Sequence, residues 1–166
     1  ISPAPGGWIY GKQVELAVPS DIIFYRTGRV FVAWQRLDDD SEANSNALKD
    51  KDAAKETRES RPGSWVILEK SSSDEPHKLE EPEFDRIYVL GYDKFGQEHY
   101  TAYHGPDIRG YLPLRVEGHG SGKNFSVRVM AEDGSVVEVK YSLSRDSHGI
   151  LKVNTVSDIA RPKKRK

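Results

Sequence analysis

From Leu112 to Val153 apolar side chains alternate with polar ones, and turn residues break the alternation at short intervals. Leu112, Leu114 and Val116 make one such run, and Phe125, Val127 and Val129 a second. Val137, Val139 and Tyr141 make a third, and a last apolar segment, Ile150-Leu151-Lys152-Val153, follows. Gly118–Gly122, Glu132-Asp133-Gly134 and Asp146–Gly149 lie between them. A side-chain period of two is the period of a strand, and a helix cannot bring such a set to one face. Short alternating runs split by Asp-Gly and His-Gly turns predict antiparallel β structure with little helix.

The first half of the chain carries the same signal with interruptions. Gly11–Val18 reads as a strand, and Pro19-Ser20-Asp21 as a turn. Ile22–Leu37 is rich in β-branched and aromatic residues and reads as a strand, with Gly28 marking a bulge or sharp bend. Trp65–Leu68 and Arg86–Tyr92 are further strands. Asp93-Lys94-Phe95-Gly96 turns the latter back into Glu98–Tyr103. Asp38–Ser60 holds almost no large apolar residue, so it has too little surface to bury against the entropy of ordering and is expected to be a mobile loop. A second polar, acidic loop runs from Ser71 to Pro82.

Charge follows these segments. The net charge is −1, but Asp38–Asp85 holds 15 acidic and 7 basic residues, and the rest of the chain holds 18 basic and 11 acidic ones. An acidic insertion thus interrupts a basic body, and a basic body suits a polyanionic partner. The chain has no cysteine, which excludes a disulfide framework and thiolate metal ligands and fits a reducing, intracellular compartment. No apolar run approaches the roughly 20 residues of a membrane helix. Ile1–Gly7 lacks the basic start and apolar core of a signal peptide and reads as the cut end of a longer chain.

The two halves share a plan. Lys12–Val18, Phe24–Trp34, Ile87–Tyr92 and Glu98–Tyr103 lead to Asp107-Ile108, and Leu112–Val116, Phe125–Met130, Val136–Tyr141 and Ile150–Val153 lead to Asp158-Ile159. Together with Phe24-Tyr25-Arg26-Thr27-Gly28-Arg29-Val30 and Tyr88-Val89-Leu90-Gly91-Tyr92-Asp93, this plan resembles the tandem Tudor module, in particular that of DNA-damage checkpoint mediators. The resemblance covers Gly11 to Ile159. It implies an all-β fold of two SH3-like barrels: residues 11–110, with insertions at about 38–63 and 71–85, then residues 111–160, then a basic tail at 161–166. It also implies a chromatin-associated binding module that reads a methylated-lysine histone peptide and catalyses no reaction, with no cofactor and no metal.

Carried over by position, the aromatic cage of that family falls on Tyr25, Tyr92, Asp93 and Phe95. Such a cage works by cation–π attraction, with a carboxylate alongside. Strands also pack with aromatics, so each of these residues has a structural alternative. The chain departs from the family in one place: Ala17-Val18-Pro19 stands where working cages often carry an aromatic, and Trp8, Trp34 or Trp65 would have to replace it.

Two other readings come from the residues. Arg115, Lys123, Arg128, Lys140 and Lys152 give the second half a basic face that could neutralise DNA phosphates without reading sequence, and the same residues suit an ordinary charged face. Pro162-Lys163-Lys164-Arg165-Lys166 is similar to a nuclear import signal, which would imply a nuclear location, and it equally suits a solvated basic chain end. His99, His104 and His119 are the residues an acid–base nuclease or transferase would use. Tyr103-His104-Gly105 resembles the histidine motif of some ADP-ribosyltransferases, but no matching glutamate segment follows. The histidine spacings match no common zinc motif, and Gly118–Lys123 lacks the helix start of a phosphate-binding loop.

Overall fold

A computed structural model describes residues 17–38, 62–72 and 81–156. Eight strands account for most of them: β1 (Arg29–Arg36), β2 (Trp65–Ser71), β3 (Arg86–Asp93), β4 (Glu98–His104), β5 (Gly110–Glu117), β6 (Asn124–Met130), β7 (Val136–Arg145) and β8 (Leu151–Val156). They form two antiparallel meanders, ordered β1-β2-β3-β4 and β5-β6-β7-β8. The only helical elements among the described residues are 3-10 turns at Ile23–Tyr25 and Gly120–Gly122.

The turns form for local reasons. Gly28 and Gly134 have φ of +74° and +82°, a region that side chains rarely tolerate. The Asp133 carboxylate accepts from the Ser135 amide and hydroxyl at 2.9 and 2.6 Å. Asp146 Oδ1 accepts from the His148 and Ile150 amides, both at 3.0 Å. Each is a side chain closing its own turn.

The inner faces of the two sheets share one core. Val66, Leu68, Ile87 and Val89 of the first sheet are buried in the same cluster as Phe125, Val127, Tyr141, Leu143 and Leu151 of the second. The Phe125 and Tyr141 rings stack at 4.7 Å with 10° between their planes. Polar ties reinforce this contact. Lys123 Nζ donates to the Leu37 carbonyl at 2.7 Å, the Leu112 amide to Glu83 at 2.6 Å, and the Leu151 amide to the Tyr100 hydroxyl at 2.7 Å.

The first sheet is covered on its other face too. Ile22, Phe31, Trp65, Ile67 and Leu90 form a second cluster, with Val18 and Tyr25 packed against it. Trp65–Glu69 is therefore buried at every position. That explains why Trp-Val-Ile-Leu reads as a continuous apolar run, as strands covered on both faces do.

Three expectations change. The sheets are open: β1 and β4 end one strand order and β5 and β8 the other, so the described strands close no barrel, and the two sheets share one core. Ile22–Leu37 is not one strand, because Ile23–Tyr25 makes a 3-10 turn and β1 starts after Gly28. The repeat also aligns differently. β2 lies between β1 and β3, so it matches β6, and the long insertion joins β1 to β2. Ala17 and Val18 lie outside any strand. The rest of Gly11–Val18, residues 39–60 of the expected mobile loop, residues 73–80 of the second polar loop, Asp158-Ile159 and the basic tail fall outside the described residues.

Candidate functional site

Alternation of strand direction brings the β1–β2, β3–β4, β5–β6 and β7–β8 connections to one end of the molecule. The neck of the long insertion is pinned there. Asp38 Oδ2 accepts from the Ser64 amide at 2.7 Å, and Asp38 Oδ1 pairs with Arg145 of the second sheet at 3.1 Å. Tyr25, Tyr92, Asp93 and Phe95 all lie at this end, in two groups.

The first group is nearly closed. The Tyr25 and Tyr92 rings both meet His99, at centroid distances of 5.4 and 5.0 Å. The His99 side chain is 7% exposed, and its Nε2–H donates to the Gly63 carbonyl at 2.9 Å. Asp21 Oδ2 stands 3.7 Å from the same nitrogen and accepts from Trp65 Nε1 at 2.8 Å. Burial, and after it the nearby Tyr88, Glu98 and Asp21, raises the Tyr25 phenol above its ordinary pKa. Thus Tyr25 and Tyr92 both pack on His99, whose imidazole stands where the space between them would be.

The second group is open. Tyr92, Asp93, Lys94, Phe95 and Tyr100 form one wall of a cleft of about 190 Å³, and Arg145, His148, Gly149 and Ile150 form the other. Phe95, at the tip of the β3–β4 turn, is 97% exposed. Asp93 Oδ1 accepts from the Phe95 amide at 2.9 Å, which holds the turn. Drug-sized pockets run to about 300–1,000 Å³, so this cleft suits a small head group.

Comparison of the chain with protein-family models, curated proteins and solved structures gave no match. The residues themselves therefore carry the functional argument.

Four of the five basic residues singled out in the sequence share the outer face of the second sheet. Arg115 registers with Ser126, which registers with Lys140, while Arg128 and Lys152 have the same parity. Each meets an acceptor: Arg115 meets Glu138 at 3.5 Å, Lys140 meets Glu117 at 3.9 Å, Lys152 meets Asp146 at 3.6 Å, and Arg128 meets the Leu112 carbonyl. Lys123 is elsewhere, 8% exposed with its ammonium on the Leu37 carbonyl.

The three histidines do not converge. His99 and His104 sit at opposite ends of β4, about 17 Å apart at roughly 3.3 Å per residue. His104 packs edge-on against Tyr88 at 5.5 Å, and His119 is in the β5–β6 loop. Among the described residues no three His, Asp or Glu side chains gather as a metal site.

Sequence reasoning missed Asp21 and Tyr100. Asp21 reads as a turn residue, yet its carboxylate reaches Trp65 and lies beside His99. Tyr100 reaches the site through the β3–β4 register, opposite Gly91, and Arg145 reaches it only when the two sheets meet.

Proposed function

We propose that this protein is a non-enzymatic, chromatin-associated binding module of the tandem Tudor type. In this reading it acts in the nucleus and recognises a methylated-lysine histone peptide at the cleft between the β3–β4 and β7–β8 turns. The observation that carries the reading is that Tyr92, Asp93 and Phe95 line this cleft together with Tyr100. Aromatic rings offer their faces to a quaternary or partly methylated ammonium, and a carboxylate on the same wall adds charge attraction. Tyr25 supports that wall from behind through His99. The SH3-like plan belongs to the same proposal, each four-stranded meander standing for one Tudor unit.

Amide chemical-shift mapping with a trimethyl-lysine histone peptide tests it. Shifts should concentrate at Tyr92–Gln97 and Arg145–Ile150, and Tyr92→Ala should remove them while leaving the remaining spectrum folded. Shifts confined to the outer face of the second sheet, or none, would count against the reading.

A second reading has its own observation: Arg115, Arg128, Lys140 and Lys152 stand on one face. Such a face could track DNA backbone phosphates. Binding to duplex DNA would then fall steeply with salt, and Arg128→Ala or Lys140→Ala would weaken it across sequences alike. Glu117 and Glu138 stand among these cations and oppose phosphates, which ranks this reading second.

A further inference from the structure

We infer that the cleft selects a ligand of two opposite charges: a methylated lysine against the aromatic wall, and an acidic side chain, within two residues of it in sequence, against Arg145 and His148. The inference rests on the peptide reading above and extends it to the sequence around the lysine.

The two walls differ in the charges they carry. Asp93 is the one carboxylate among the residues lining the cleft, and it shares the β3–β4 wall with Lys94 and the rings of Tyr92, Phe95 and Tyr100. The facing wall presents Arg145 and His148. The acids near Arg145 and His148 have other work. Asp146 closes its own turn through the His148 and Ile150 amides, and its Oδ2 lies 3.6 Å from Lys152. Asp38 meets Arg145 Nη2 at 3.1 Å from outside the cleft.

Arg145 is held but not exhausted. Its Nη1 donates to the Gly149 carbonyl at 3.0 Å and its Nη2 to Asp38, while the side chain stays 33% exposed. A guanidinium carries five N–H donors in a fixed fork, so three in-plane donors remain for a second carboxylate. The wall is also prepared in advance. Gly149, at φ +79°, together with the Asp146 bonds, fixes the turn that carries His148. A ligand bringing only a cation would leave this wall facing like charge. A carboxylate nearby satisfies both walls. In an extended peptide, side chains two residues apart lie on one face about 6.6 Å from each other, so a lysine in the cleft leaves its neighbour at the rim.

Four peptides test this: lysine or trimethyl-lysine, each with a glutamate or a glutamine two residues away. Each is titrated by calorimetry against wild type, Arg145→Gln and His148→Glu. The second variant lies in an exposed turn and keeps the test informative if the first disturbs the Asp38 contact. In wild type the glutamate should tighten binding about two- to fivefold over glutamine, the size of an exposed charge pair. Arg145→Gln and His148→Glu should each shrink that difference and leave the effect of methylation in place. Equal affinity of the glutamate and glutamine peptides for wild type overturns the inference, as does a difference that survives both variants. If glutamate is preferred through Arg145 but methylation has no effect, the acidic subsite stands and the methyl-lysine reading fails. Binding of none of the four overturns both.

Discussion

The Tyr92 ring lies 5.0 Å from the ring of His99, its cross-strand partner between β3 and β4. This contact divides the expected cage in two. On one side His99 and Tyr25 close the space against Asp21. On the other side, Tyr92 joins Asp93 and Phe95 at an open cleft. In the proposed function the buried half supports the site, and the open half receives the ligand.

His99→Phe isolates the supporting role. The ring packing between the two tyrosines survives, but the Gly63 carbonyl loses its donor. Leaving a buried acceptor unpaired costs about 1–3 kcal/mol. Urea unfolding should show a loss of that size. An unchanged midpoint and slope would mean that the imidazole N–H contributes nothing to holding the insertion's neck.

Lys123→Met should behave as a core mutation although it removes a charge. The ammonium sits on the Leu37 carbonyl between the sheets. Methionine keeps most of the stem volume and removes the donor, so stability should fall by about 1–3 kcal/mol. DNA affinity, if measurable, should be unaffected beyond that loss of fold.

The two sheets should unfold together. Their inner faces form a single cluster from Leu37 to Leu151, and blocks of this size are marginal alone. Calorimetry and tryptophan fluorescence should trace the same single transition. Two separated transitions would mean the shared core couples them weakly.

Tyr141 gives a pH signature. Burial first, and then the adjacent Tyr103, pushes its phenol up to about 12. A tyrosine in the unfolded chain titrates near 10. Between about pH 10 and pH 12 the folded protein therefore binds more protons, and stability falls as pH rises. Over that interval the loss is roughly 2–3 kcal/mol. Below pH 10 Tyr141 contributes no slope. Tyr141→Phe should flatten the alkaline decline, which denaturant titrations at stepped pH would detect.

Much of this architecture is legible in the sequence where period two is clean. β5 to β8 follow from Leu112–Val153 to within a few residues, and so does the β3–β4 hairpin. The first sheet is harder to read. β2 is buried on both faces, so it has no alternation, and Ile22–Tyr25 has strand composition but turns because it must cap Trp65 and Leu90. Closure into barrels cannot be read from the pattern, since the same alternation serves a closed sheet or two open sheets face to face. Of the site, Tyr92, Asp93 and Phe95 are legible together because they are neighbours in one hairpin. Tyr100 joins them across the same hairpin, opposite Gly91, and Arg145 and His148 join through packing between sheets, which no local pattern encodes. Lys123 has the composition of a surface cation, and only the Leu37 carbonyl opposite explains its burial.

Phe95 is the sharpest probe of the methyl-lysine cleft, because its ring is 97% exposed and its loss should leave the fold intact. The measurement is the calorimetric affinity of wild type and Phe95→Ala for one histone peptide with its lysine unmodified and trimethylated. A ring face on a cation contributes about 0.5–2 kcal/mol, so the account predicts that wild type prefers the methylated peptide and that Phe95→Ala weakens its binding about two- to thirtyfold. Equal affinity of wild type for the two peptides, or methyl-dependent binding that Phe95→Ala leaves untouched, would contradict it.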